Sequence, residues 1–266
     1  CHFIVVRFNV SLFYSGFVRF SQLLFNGIYY VSLLFGIGIT YQMMGKYDEA
    51  LRYFEQSLVL AEYLHHVQGI AFLSNNIGVI YLRKGDHNRA IRNFRIALKM
   101  NEQIGNPAAI ANNLKNIGMI YLKMGVFLKA LEYNSRALKI EEQEGLKSSY
   151  LSTYNNMGRI YVGMGKYKEA ETEFLSGMEL SNELGNMDGA KTAAEGLADV
   201  YDAQGDKLQA YTYYRMYREL QDSILDLQQA EEVSKLRLAY EMERKEKELV
   251  RLSRETVENQ LALTEH

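Results

Sequence analysis

The feature that most constrains this chain is a repeat of fixed period. Residues 75–90 read NNIGVIYLRKGDHNRA and residues 115–130 read KNIGMIYLKMGVFLKA, with related stretches at 35–50, 155–170 and 195–210. Three columns run through all five copies at intervals of 40. They are Tyr41, Tyr81, Tyr121, Tyr161 and Tyr201; Gly45, Gly85, Gly125, Gly165 and Gly205; and Ala50, Ala90, Ala130, Ala170 and Ala210. Such a period marks supersecondary units, each too small to bury its own apolar face, that stack into one continuous core. The 266 residues are therefore counted in repeats rather than in ordinary domains.

Each unit reads as a helical hairpin. Before Gly85, Ile70, Ala71, Ile77, Ile80 and Tyr81 recur at helical spacing; after it, Ala90, Ile91, Phe94, Ala97 and Leu98 do the same. Gly85 suits a left-handed turn that ends one helix, and Asp86 can cap the next. Gly105, Gly145 and Gly185 close the units, and Asn106 with Pro107, the single proline, reads as an N-cap followed by the first helical residue. No stretch alternates with the period of a strand.

Gly38, Gly78, Gly118, Gly158 and Ala198 form a small column in the middle of the first helices. A glycine there costs about 1 kcal/mol relative to alanine, so it needs a packing reason. The expected reason is close approach of the second helix at the Ala50, Ala90, Ala130, Ala170 and Ala210 column. Phe54, Phe94, Phe174 and Tyr214 then fill the space around the contact. Asn134 breaks that set and is expected to weaken the third unit.

A small residue, tyrosine three on, glycine seven on, alanine twelve on and an aromatic sixteen on resembles the tetratricopeptide pattern, in its long 40-residue form. Kinesin light chains, spindle-orientation adaptors and bacterial peptide-pheromone receptors use this form. The resemblance covers residues 31–218 and departs from the pattern in the fifth unit, at Lys207, Tyr217 and Arg218. It implies an all-α, right-handed superhelix of helical hairpins, followed here by a long C-terminal helix. The domain reading is an atypical hydrophobic segment at 1–30, an array at 31–218 and a charged helix at 219–266.

Chemistry is sparse. His65 and His66 are adjacent, and no cysteine or carboxylate stands near them at ligand spacing, so solvated loop histidines are expected. No nucleophile elbow, phosphate loop or zinc-protease motif occurs. The acidic residues are expected on exposed faces of the second helices. Neither catalysis, a cofactor nor a metal is expected, and a net charge of −2 gives no reason to expect nucleic acid.

The family resemblance implies a groove lined by the first helices. By periodicity its inward positions are Asn75, Asn76, Val79 and Arg83; then Asn112, Lys115, Asn116, Met119 and Lys123; then Asn155, Asn156 and Arg159. Asn76, Asn116 and Asn156 again stand 40 apart. An asparagine ladder can donate to and accept from an extended peptide backbone. It can equally bond neighbouring helices and hold the stack. Arg83, Lys115, Lys123 and Arg159 would favour acidic groups in a partner, or else be solvated.

From Asp206 to Leu263 there is neither glycine nor proline, and Glu231–Lys235, Glu241–Lys245 and Glu243–Lys247 are favourably ordered pairs. Val233, Leu236, Tyr240, Val250, Val257 and Leu261 form one heptad seam interrupted by Glu243, Lys247 and Arg254. The expectation is a long helix, able to form a weak parallel homodimer or to stay single. An array running into a "LRLAYEMERKEKEL" helix resembles the sensor region of Bacteroidota-type two-component histidine kinases and related regulators. That resemblance implies a non-catalytic sensor of a peptide or protein, on the periplasmic side of the inner membrane, with an output domain further along. The alternative is a free-standing cytosolic scaffold or peptide receptor. The N-terminal 47 residues contain no Asp or Glu. A membrane or signal remnant and a degraded repeat are both open readings of that part.

Overall fold

The computed structural model describes residues 27–264, with side chains up to residue 252. Most of the expected N-terminal segment 1–30, and the side chains of Arg254, Val257 and Leu261, lie outside the described residues. Among the described residues every regular element is an α-helix. They are α1 (27–43), α2 (Tyr47–Tyr63), α3 (Val67–Arg83), α4 (His87–Ile104), α5 (Pro107–Lys123), α6 (Phe127–Gln143), α7 (Lys147–Gly163), α8 (Tyr167–Leu184), α9 (Met187–Gln204) and α10 (Lys207–Thr264). None of them is long and apolar enough to cross a membrane. Two compact units divide inside α8, one ending at Gly177 and the other starting at Met178.

The glycine column ends each first helix in the same way. The backbone N–H of residues 46, 86, 126, 166 and 206 donates to the carbonyl of the column tyrosine five residues earlier, in every case at 2.9 Å. The glycine between them has positive φ, as at Gly85 with 77°. This is a Schellman-type closure, and it satisfies carbonyls that a helix end leaves open. Entry into the second helix is capped where the sequence supplies a cap. Asp86 Oδ1 accepts from the Arg89 N–H at 2.9 Å, and Asp206 Oδ1 from the Gln209 N–H at 3.1 Å. Asn106 and Asn186 cap α5 and α9 likewise. At the turn between α2 and α3 the column of Gly105, Gly145 and Gly185 is replaced by His65, which takes the left-handed conformation itself at φ 52°.

Packing corrects one expectation about the small column. The glycines meet the aromatic ring of the second helix rather than the alanine methyl. A Cβ on Gly78 would stand 3.0 Å from the Phe94 ring, and one on Gly158 would stand 2.7 Å from the Phe174 ring. Gly38 faces Phe54 in the same way. Phe54, Phe94 and Phe174 are fully buried, each worth about 1.5–3 kcal/mol of apolar transfer. The alanine column is buried beside them, and the Ala130 carbonyl lies 3.2 Å from the Cβ position of Gly118.

Asn134 takes the ring's place in the third hairpin, where it is fully buried. Its Nδ2 donates to the Ala130 carbonyl at 2.8 Å, and its Oδ1 accepts from Asn156 Nδ2 at 3.3 Å. The break in the aromatic column is thus a satisfied polar contact, not a void.

The tyrosine column has a second regularity. Tyr41 stacks on Tyr53, Tyr121 on Tyr133 and Tyr201 on Tyr213, with centroids 5.4, 5.6 and 5.5 Å apart. The partner lies twelve residues on, so the second and fourth hairpins offer Asn93 and Glu173 instead. Glu173 is half-buried, and desolvation holds its carboxyl above the usual carboxylate range.

In the unit that starts at Met178, α9 packs on α10, and Ala190, Ala193, Ala194, Leu197, Val200 and Ala210 are buried. Beyond its first turns α10 leaves this contact and continues as one helix with exposed side chains from Leu225 to Leu252. Glu231–Lys235 and Glu243–Lys247 each close at 2.6 Å. Such exposed pairs, open to water and salt, contribute little to stability.

Candidate peptide-binding face

The first helices α3, α5 and α7 stand side by side, tied by side-chain bonds between neighbours. Asn113 Nδ2 donates to Asn75 Oδ1 at 3.0 Å, while Asn113 Oδ1 accepts from Asn101 Nδ2 at 2.7 Å. This chain of three asparagines joins α3, α4 and α5. Asn75, an expected groove residue, therefore has its oxygen in the stack.

Lys115 departs furthest from expectation. It is buried, not open to a groove: its ammonium lies 2.8 Å from Oε1 of the fully buried Glu141. The same ammonium donates to Ser149 Oγ at 2.7 Å and Ser152 Oγ at 2.9 Å. Glu141 also accepts from Ser149 Oγ at 2.5 Å and Thr153 Oγ1 at 2.7 Å. Placing all carboxylates on exposed faces of the second helices is thereby corrected. Burial is tolerated because both charges are paired and their remaining sites are bonded. No sequence spacing announces the pair, since Lys115 and Glu141 stand 26 residues apart on the two helices of one hairpin.

Asn155 and Asn156 also face the stack. Asn156 bonds to Asn134, as described, and Asn155 is buried with its Oδ1 unbonded. The remaining positions reach solvent. Arg83, Asn112, Lys123 and Arg159 are exposed, and Asn76, Val79, Asn116 and Met119 are half-exposed. Asn76 Nδ2 is bound at 2.8 Å to the Phe72 carbonyl of its own helix, which leaves its Oδ1 outward. Among the described residues Asn116 has no hydrogen-bond partner, and Arg83 and Lys123 have no ion-pair partner.

One contributor was missed. Phe72 is 64% exposed, one turn before Asn76 on the same face. The signal was available: Phe72 lies in the register of Asn112 and Ser152, where the other repeats place polar residues.

The electrostatics of the face follow from composition. No Asp or Glu occurs in 27–43, 67–83, 107–123 or 147–163, the four first helices of this unit. The exposed charges on the face are Arg83, Lys123 and Arg159, all positive. The fifth first helix, α9, differs, with Asp188, Glu195, Asp199 and Asp202.

Models of the tetratricopeptide repeat match residues 31–63, 69–143, 107–183 and 149–223. The chain belongs to the tetratricopeptide-repeat family. Among curated protein sequences none matches this tetratricopeptide chain significantly. Solved structures of similar fold include BtubC (BKLC) from P. vanneervenii, 17% identical, with a TM-score of 0.64 over 77% of this chain and 91% of that one. A putative kinesin light chain from Podosopora anserina with nearly identical TPR-like repeats is 16% identical, with a TM-score of 0.60 over 73% and 96%. A Rap protein complexed with competence and sporulation factor is 17% identical, with a TM-score of 0.62 over 76% and 58%. At these identities the likeness is one of fold, and it agrees with the hairpin array of the tetratricopeptide chain.

Proposed function

We propose that this tetratricopeptide array is a non-catalytic binding module for an extended peptide or protein segment carrying acidic residues. One observation carries the reading: four first helices without a carboxylate present Arg83, Lys123 and Arg159 beside the outward amides of Asn76 and Asn116. Amides can pair with an extended backbone, and the cations add selection for acidic side chains. The solved complex of a Rap protein with competence and sporulation factor lends support by fold alone.

The test is fluorescence anisotropy against extended ten-residue peptides that differ only in the number of Asp residues. Binding is expected to rise with acid count, and to fall about tenfold in Arg83→Glu/Lys123→Glu, the loss of roughly 1.4 kcal/mol. Asn116→Ala is expected to weaken every peptide alike. Affinity that ignores both acid count and these variants would overturn the reading.

We further propose that the array is the sensory part of a bacterial signal-transduction protein, with α10 carrying the signal toward an output domain. The support is the single continuous helix and its resemblance to the corresponding helix of sensor kinases. In that setting the array sits on the periplasmic side of the inner membrane. The reading frame past His266 decides: a membrane span followed by a kinase or helix-turn-helix domain is expected, whereas an immediate stop favours a free-standing scaffold.

A further inference from the structure

The second helices carry a different charged feature. Along α4, Asn88, Arg92, Arg95 and Lys99 fall on one face at spacings of four, three and four residues. Together with Ile91, Ile96, Tyr121 and Met124 they line a groove of about 640 Å³. No carboxylate lines it. Among the described residues Arg92 and Lys99 have no ion-pair partner. The nearby Asp86 is held by Arg89, whose Nε lies 2.7 Å from its Oδ2.

Arg95 is fixed in place without being neutralised. Its Nη2 donates to the Tyr121 hydroxyl at 3.2 Å and the Tyr133 hydroxyl at 3.4 Å. Those two rings are stacked, and Lys129 and Arg136 cover their faces at 5.3 and 5.7 Å. Two phenol hydroxyls thus orient a guanidinium whose other N–H groups stay available. A guanidinium held this way has less rotamer freedom left to lose when it meets a carboxylate.

From this arrangement we propose that the α4 groove docks an acidic amphipathic helix of a partner protein. The three cations span about 10 Å of helix, at 1.5 Å per residue, which matches about two turns of a partner. Carboxylates at every third or fourth position of the partner would meet Arg92, Arg95 and Lys99. Its apolar side chains would lie on Ile91, Ile96 and Met124. The apolar lining and the small number of cations argue against nucleic acid, which needs a longer basic track. Its cations belong to the second helix α4, while Tyr121 and Met124 come from the end of α5; none of Arg83, Lys123 and Arg159 of the face proposed to bind peptide lines it.

The probe is a fluorescein-labelled 16-residue helical peptide with Glu at every third or fourth position and Leu between, titrated into the full chain. Saturable binding is expected, weakening with added salt and falling roughly tenfold or more in Arg95→Gln and in Arg92→Glu/Lys99→Glu. It is expected to be unchanged in Arg83→Glu/Lys123→Glu, a result that separates the two faces. Circular dichroism keeps each variant's fold in view, and Tyr133→Phe, which removes one hydroxyl from Arg95, is expected to give a smaller loss. The proposal is overturned by absence of saturable binding, by equal loss in the first-helix variant, or by a single-stranded oligonucleotide or inorganic phosphate displacing the peptide at equal charge concentration.

Discussion

Lys115 Nζ and Glu141 Oε1 stand 2.8 Å apart inside the array, joining a first helix to the second helix of the same hairpin and, through Ser149, Ser152 and Thr153, to the next hairpin. Breaking such a pair leaves one buried charge without compensation. Glu141→Gln or Lys115→Met is therefore expected to cost about 3–5 kcal/mol in urea unfolding. The double replacement Lys115→Met/Glu141→Leu is expected to cost much less than the sum. A strictly additive double mutant would show that the two charges do not act together.

The glycine–ring contact gives a second expectation. Gly158→Ala places a methyl 2.7 Å from the Phe174 ring and is expected to destabilise by about 1–3 kcal/mol, although alanine is the better helix former. Phe174→Leu in the same chain should recover part of the loss. A thermal melt in which Gly158→Ala is more stable than the parent would contradict this packing.

His65 holds φ 52° where the equivalent turns use glycine. A side chain in that region costs roughly 1–2 kcal/mol. Chemical denaturation is expected to find His65→Gly more stable by about 1 kcal/mol, after the added freedom of the unfolded glycine is subtracted. A loss of stability would mean that the imidazole makes a compensating contact.

Glu173 supplies a pH-dependent expectation. Burial raises its carboxyl pKa in the folded chain, so the folded state holds the proton more tightly than the unfolded one. The charged form therefore destabilises the fold, an effect fully present above the raised value and absent below the ordinary carboxylate range. Glu173→Gln is expected to raise Tm at neutral pH, with the advantage shrinking as the pH falls. Glu173→Tyr, which offers Tyr161 the stack seen at Tyr41–Tyr53, should raise Tm at all pH values. A Glu173→Gln gain that does not change with pH would refute the titration argument.

The last expectation concerns α10. Val233, Leu236 and Tyr240 are 61–68% exposed on one seam, and Glu243 and Lys247 interrupt it. A parallel pairing of two chains would cover that seam weakly. Sedimentation equilibrium is expected to show a concentration-dependent dimer for the full chain and a monomer for a version ending at Ser223. Two monomers at high concentration, with no crosslink through Leu236→Cys, would exclude the pairing.

Periodicity in the sequence determined the hairpins, their turns and the all-helical class, because those depend on local rules repeated at 40 residues. Gly85, Asp86 and Asn106 act within a few residues of themselves, so their neighbours suffice to place them. The exposed cations Arg83 and Lys123 were also legible, since one helical face fixes their direction. What the columns meet was not. Gly118 and Gly158 look alike in sequence, yet one faces Asn134 and the other Phe174. Lys115 reads as a groove cation until Glu141, 26 residues on, is brought beneath it. Asn156 reads as a ligand amide until Asn134 claims its hydrogen-bond donor. Helix formation and capping are set by intervals of three to five residues, whereas the partner of a buried polar group is set by how hairpins stack, and that only the tertiary structure decides.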